Sequence, residues 1–490
     1  MSFGGGGQIL SNLVEAIITT AIGIVIVFLS GAAYFAWYGR NVLNKIERAF
    51  APGYDAAFDR AHYARKDDVR RLSQAFSDSA EFPWTKHMRR KEQEYIDRII
   101  QGKEPGLYFM LLGPKGSGKT SMILNAMQNV RGDGVTVCEM HPDLEIFRMR
   151  LGKALNFQYF EDSQTIVFQR RPPRDGGPGL DIERALNKLE IVALRYSQRK
   201  NRPLVLVLSN IQLCKNVKDS QRLLTQIQQR AELWAASRIL TVVFSTDDFW
   251  PFLHMRGTAS RMHVLSVWDL NSTEAAQAIV RLRQAVKRII PESHELSQVI
   301  ALMGGRLAHL NKVAHAADML GMAHRLVQAE KAWLLTLIGL IPECDGGALE
   351  DQKWSVHSWV LLQEFVRMRR DAEKQRLEAV ESGVWSSDES MLPLPSISYY
   401  VCRQIMTRAD FLERLDQSNI VAINVFHDVL PESELLLNAA REVVEEDGFD
   451  ELLDRVWERV GSAKGASQGS DEEKTGIEAS KRSTAYIVPV

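Results

Sequence analysis

The chain has little cysteine, and what it has follows no pattern. Its four cysteines (Cys138, Cys214, Cys344, Cys402) stand far apart in 490 residues, and no C-x-x-C occurs. That spacing offers neither a zinc ligand set nor a disulfide framework. A reducing compartment is the simplest setting, with each thiol a small core residue. The eleven histidines form no H-x-x-x-H pair beside an acid, and no nucleophilic triad motif stands out, so no protein-built metal site is assigned. Net charge is nearly absent, at −1, which removes any global electrostatic reason for a polyanionic partner. No lysine or arginine precedes Arg40, so the basic start of a signal peptide and the arginine-rich pattern of a transit peptide are both missing. A mitochondrial address stays open. No repeat of solenoid period is present.

Apolar residues are plentiful, at 45%, enough for the two to four domains that 490 residues accommodate. Residues 16–38 carry no charge at all. As a helix they reach roughly 34 Å, against a hydrocarbon core of about 30 Å. Tyr34, Trp37 and Tyr38 gather at one end, and Arg40, Lys45 and Arg48 follow at once. This order predicts a single-pass transmembrane helix with the lipid bilayer as partner, the bulk of the chain facing the cytosol or mitochondrial matrix. A signal peptide and a buried helix of a soluble core are the alternatives.

The most specific local signal is Gly113-Pro114-Lys115-Gly116-Ser117-Gly118-Lys119-Thr120, which reads G-x-x-x-x-G-K-T. An apolar run at 107–112 precedes it as a buried strand should, and a helix-prone run at 121–127 follows. In such a loop the glycines let successive N–H groups turn toward phosphate oxygens, and the next helix presents its positive end to the same anion. Residues 113–121, Ser121 included, are therefore the expected nucleotide-binding set. Lys119 would neutralise β- and γ-phosphates, and Thr120 would hold Mg²⁺ through its hydroxyl. A chance glycine-rich turn would lack this strand-before, helix-after context.

Five strand-like runs, at 107–112, 135–140, 204–209, 239–245 and 263–267, alternate with helical ones, which predicts an α/β fold with a parallel sheet. The expected organisation is a tail (1–15), the transmembrane helix (16–38), a stalk (39–85), the α/β core (86–270), a helical lid (271–322), a helical region and linker (323–390), a compact module (391–457) and a disordered tail (458–490). The turn-rich stretch 170–179 is expected as a surface insert. Asp269 or Ser272 is the expected cap of a helix through 273–280.

A phosphate loop followed by an extra strand before the next phosphate-facing strand resembles the additional-strand class of P-loop ATPases. More narrowly, 89–320 resembles AAA+ or STAND-type ATPases of the archaeal kind. The carrying residues are Arg89 to Ile96 at the adenine-side motif, Val243 to Asp248 at the sensor-1 strand end, Ser260-Arg261 before the fifth strand, and Met303 to Leu310 at the lid, where Arg306 or Leu307 replaces the family's proline. The resemblance implies a three-layer sandwich with sheet order 5-1-4-3-2, and ATP with Mg²⁺ as ligands. No N-K-x-D motif argues for guanine. Arg256 or Arg261 would reach the γ-phosphate of its own or a neighbouring subunit's nucleotide, the second requiring a homo-oligomer. A surface salt bridge is the plainer option.

The second acidic motif departs from the family pattern. The strand 204–209 ends in Ser209 where the Mg²⁺-shell Asp belongs, and Asn210 stands where the water-activating Glu belongs. A serine brings no charge to the metal, and an asparagine orients water but accepts no proton. Asp247 could restore part of the charge, or could with Asp248 cap the turn into Phe249; Glu139 ends the second strand beside the third. The expected catalytic set is thus Lys119, Asn210, Asp247 and Arg261, with Thr120 and Ser209 on the metal. The module from 391 resembles a winged helix. Glu413 and Asp416 beside Arg414 make protein contact a better expectation there than nucleic acid. The sequence predicts an ATP-binding switch or scaffold at a membrane, with an active AAA+ remodelling ATPase and a membrane-tethered nucleic-acid ATPase as the alternatives.

Overall fold

The computed structural model describes residues 6–54, 90–159, 177–286, 288–343, 349–382 and 392–465. Most of the expected stalk, residues 170–176 of the insert, the linker 383–390, Arg89, Cys344 and most of the C-terminal tail lie outside the described residues.

The strands form where apolar residues run without interruption. β1 (Tyr108–Leu112), β3 (Leu204–Ser209) and β4 (Leu240–Thr246) are buried almost throughout, because both sheet faces are covered. With β2 (Val135–Glu139) and β5 (Met262–Ser266) they make one sheet of order β2-β3-β4-β1-β5, every pair parallel. This is the expected 5-1-4-3-2 order read from the other edge. Alternate side chains go to opposite faces. Phe109, Leu111, Val205 and Val207 meet Ile96 of α2 (Lys91–Ile100) and Ile123 of α3 (Lys119–Asn129). Tyr108, Met110, Leu206 and Phe244 face the layer that holds α5 (Gly177–Lys200) and α6 (Lys218–Ala236), with α4 (Leu144–Ala154) between β2 and α5.

A long helix, α1 (Gly6–Ala49), precedes the core. Its apolar part is exposed, with Phe28 at 73%, and among the described residues it is the one helix long and apolar enough to cross a membrane. Its last turns are different. Val42, Ile46, Ala49 and Phe50 are buried against the core beside α5. Gly134 N–H donates to the Phe50 carbonyl at 2.8 Å. The first part of the expected stalk is therefore fixed to the α/β core.

After β5 the chain turns helical. α7 (Trp250–Arg256) precedes β5, while α8 (Ser272–Ala285), α9 (Ser293–Met303) and α10 (Leu307–His315) occupy the segment expected as a lid. The cap of α8 is Asn271, not Asp269 or Ser272: its side chain accepts from Glu274 N–H at 2.8 Å, and Glu274 accepts from Asn271 N–H at 3.2 Å. Asp269 is engaged elsewhere, as described below. The rest is α11 (Met319–Ile338), α12 (Leu349–Glu381), the short strand β6 (Ile397–Ser398), α13 (Tyr399–Met406), α14 (Ala409–Gln417), β7 (Val421–Ile423), β8 (Asp428–Pro431), α15 (Glu434–Val444) and α16 (Phe449–Gly465). The three strands pair antiparallel in the order β6-β8-β7. Buried residues of core, lid and C-terminal module share one apolar cluster.

Candidate phosphate-binding site

The loop 113–118 leaves the carboxyl end of β1 and enters α3. Gly116 and Gly118 have φ of +81° and +102°, a region that side chains adopt at a cost. The lid sits directly on this turn. Ala308 N–H donates to the Gly116 carbonyl at 3.3 Å, and a Cβ at Gly118 would lie 2.9 Å from Leu307 Cδ1. Ser117 Oγ is buried without a partner among the described residues, whereas Thr120 and Ser121 are exposed at the first turn of α3. An orphaned hydroxyl, exposed hydroxyls and a helix N-terminus in one turn fit an anion with an attached cation.

Lys119 is 5% exposed. Its Nζ donates to the carbonyls of Gly113 (2.6 Å) and Pro114 (3.0 Å) and lies 2.7 Å from Asp247 Oδ1. Burial pushes its pKa down, and the Asp247 charge opposes that push. Asp247 also accepts from Gln212 Nε2 at 3.2 Å. Two residues earlier, Asn210 adopts a left-handed conformation (φ 59°) and donates from Nδ2 to Glu139 Oε1 at 2.8 Å. Ser209 is half-buried at the end of β3, where its carbonyl accepts from Met140 N–H at 2.9 Å. The structure thus brings Lys119, Asp247, Ser209 and Asn210 to one end of the sheet. The Asp247 carboxylate reaches the loop lysine, whereas the turn into Phe249 is bonded by Thr246 Oγ1, which accepts from Asp248 N–H at 3.2 Å, and by Asp416.

Arg261 is not brought to this end. Its carbonyl accepts from Tyr108 N–H at 3.1 Å, at the start of β1. That is five residues before Gly113, roughly 16 Å at about 3.3 Å per residue. Within its own subunit it cannot serve the phosphates; its amide is instead bound by Glu232 at 3.2 Å. Arg256 packs on Phe252 and contacts His427 of the C-terminal module.

Two arginines absent from the expected set hold the loop. Arg90 donates to the Ser117 carbonyl at 2.8 Å and to the Trp268 carbonyl. Arg306, 1% exposed, donates to the Lys115 carbonyl at 2.8 Å, pairs with Asp269, and reaches both the carboxylate and the carbonyl of Glu432 in the C-terminal module. Burial alone would lower its pKa; Asp269 and Glu432 outweigh burial and raise it. Neighbouring His309 is pushed down to about 4 by burial and by the Arg306 and Lys312 charges, so it is neutral at physiological pH. A second bridge runs through Asp416 of α14, whose buried carboxylate accepts from Phe249 N–H at 2.9 Å. Asp248, one residue earlier, is raised to about 6 by burial and by the Asp247 charge. Asp416 was expected on an outward protein-contact face and is instead turned inward. Arg306 had a signal in the sequence, an arginine directly after Gly304-Gly305; its partners 37 and 126 residues away had none.

No curated protein matches the chain in sequence. Solved structures that resemble it include a Walker-type ATPase of Pyrococcus abyssi (14% identity, 72% of this chain and 96% of that one, TM-score 0.44). Others are Cdc6p of Pyrobaculum aerophilum (14%, 75% and 95%, 0.34) and the Orc1 protein of Aeropyrum pernix in complex with DNA (12%, 76% and 98%, 0.34). Residues 335–463 match the family described as fungal AAA protein, C-terminal winged helix domain, a range that begins within α11 and takes in the whole module expected from 391. That match makes residues 335–463 a winged helix domain of the fungal AAA kind, and it follows a P-loop α/β fold in which a G-x-x-x-x-G-K-T loop leaves the first strand of a five-stranded parallel sheet.

Proposed function

We propose that the chain is a membrane-anchored, ATP-binding switch or scaffold in which the winged helix domain answers to the state of the phosphate loop. One observation carries this reading. The Arg306 guanidinium is hydrogen-bonded to the loop at Lys115 and ion-paired to Glu432 of the winged helix domain. A change in the loop on binding triphosphate alters what this cation holds, and a ligand shifts two arrangements only through such differential contacts. Lys119 leaves the Gly113 and Pro114 carbonyls for phosphate oxygens. Thr120 and Ser209 would hold Mg²⁺ together with those oxygens, and the metal when bound would neutralise phosphate charge. Ser209 supplies no negative charge there, and Asp247, ion-paired with Lys119, is a carboxylate able to contribute it. Asn210 can orient a water but accepts no proton, so position 210 itself supplies no base for hydrolysis. The balanced overall charge gives no pull toward a polyanion and favours a protein partner over nucleic acid. The exposed apolar part of α1 provides the anchor, with residues 16–38 in the bilayer.

The test is calorimetry of the full chain in lipid nanodiscs with Mg²⁺ plus ATP, ADP or GTP, wild type against Lys119→Ala. Adenine nucleotide should bind the wild type, with the variant weaker by at least about tenfold. Absence of binding to the wild type sinks the reading. Hydrogen exchange of residues 424–434 should differ between free and ATP-bound protein; identical exchange would leave a nucleotide-binding scaffold without a switch.

A further inference from the structure

We propose that Glu139 supplies the carboxylate that position 210 lacks, accepting the proton of the attacking water from the second strand. This inference rests on the reading of the site as an ATP site. Glu139 ends β2 and lies opposite Ser209 in the β2–β3 register. Two polar contacts lie at the same end of the sheet: Asp247 joins Lys119 Nζ at 2.7 Å and Gln212 at 3.2 Å, and Asn210, two residues before Gln212, donates from Nδ2 to Glu139 Oε1 at 2.8 Å.

The division of labour follows from the donor inventory. The Asn210 amide spends one N–H on Glu139 and keeps a second N–H and a carbonyl oxygen, enough to orient a water but not to deprotonate it. Glu139 has the basicity that Asn210 lacks. Its Oε2 faces Arg150 at 3.2 Å, and Arg150 is itself bonded to the Met140 carbonyl at 3.2 Å, so the carboxylate is fixed from both sides. Each oxygen keeps a free lone pair. The side chain is 37% exposed, so water reaches it. In the step, the water oxygen bonds to the γ-phosphorus while the β–γ bridging oxygen departs with the bonding pair as ADP. The water proton passes to Glu139, which later releases it to solvent. The amide–carboxylate pair seen at 139 and 210 thus holds the two functions on two strands.

The experiment separates binding from turnover on the full chain in nanodiscs. Mg²⁺·ATP affinity is read by calorimetry and hydrolysis by single-turnover phosphate release. Glu139→Gln should leave affinity within about threefold and lower the hydrolysis rate by about 10²-fold or more, the range for loss of a general base. The exchange variant Glu139→Asn with Asn210→Glu keeps a hydrogen-bonded pair and places the acid on the third strand; it should hydrolyse at least as fast as wild type. Bound ATP without wild-type turnover, an unchanged rate in Glu139→Gln, or an exchange variant as slow as Glu139→Gln each overturns the assignment. Equal losses of affinity and rate in Glu139→Gln would assign the pair to holding the sheet edge and overturn it as well. A wild type that binds no ATP removes the site itself, and with it this proposal.

Discussion

Replacing Arg306 by alanine tests the link between loop and winged helix domain most directly. The guanidinium is 1% exposed, and its partners Asp269 and Glu432 have side chains 16% and 11% exposed. Alanine leaves two largely desolvated carboxylates and the Lys115 carbonyl without their cation. Removing one member of a buried ion pair costs about 3–5 kcal/mol. Applied to the interface, that raises the population of the open arrangement by roughly 10²- to 10⁴-fold. Hydrogen exchange of the full chain reads it: residues 113–121 and 424–444 should both exchange faster, and by similar factors. The penalty should shrink at acid pH, because protonated Glu432 no longer needs the cation and burial already raises its pKa. Combining Arg306→Met with Glu432→Gln should recover part of the loss, with a coupling of about 0.5–3 kcal/mol. Faster exchange in the loop alone, with the winged helix domain unaltered, would refute the idea that one cation ties the two together.

Three further outcomes follow from geometry. The Asp248 pKa is about 6 in the folded protein against 3.8 when exposed, so the native state binds this proton more tightly, and wild-type stability falls as pH rises from about 4 to about 6. Asp248→Asn should abolish that fall and be the more stable form at pH 7.5, by about 1–3 kcal/mol, seen as a shift in denaturation midpoint relative to pH 4.5. Gly118→Ala forces a side chain into φ +102° with its Cβ 2.9 Å from Leu307 Cδ1. Strain of about 1–3 kcal/mol should appear as weaker nucleotide binding in calorimetry. Val25→Lys with Phe28→Lys places two cations in the exposed apolar part of α1, each disfavoured by about 3 kcal/mol at a bilayer centre. The variant should become extractable by alkaline carbonate where wild type is not.

The strands were legible because a strand covered on both faces is rich in apolar residues, and each expected run overlaps an observed strand with no end shifted by more than one residue. The phosphate loop was legible because its chemistry is local: glycines, lysine and threonine all sit within eight residues. The supporting shell was not. Arg306 stood where a family proline was sought and so read as a departure, although its charge is what ties Lys115 to Glu432. Asp416 read as a polar face residue because α14 alternates charge along its length; only the packing of α14 on Phe249 shows its carboxylate turned inward. Arg261 has the right residue type beside the right strand, but at the wrong end of it. Sequence order gives the strand, and only the register gives the end.

The loop lysine places a condition on how the site responds. Lys119 is held by two carbonyls and a carboxylate, so a triphosphate enters only by replacing three oxygens already bound to a buried ammonium. The displaced Asp247 adjoins Asp248 and Phe249, whose amide is fixed by Asp416 of the winged helix domain. Charge freed at Asp247 therefore arises one residue from a carboxyl already raised to about 6 and two residues from an amide bound by a second buried acid. On the proposed reading, nucleotide taking Lys119 leaves the Asp247 charge to act on these acids, and hydrogen exchange of residues 409–417 should rise in ATP-bound protein; unchanged exchange there would refute the link through α14.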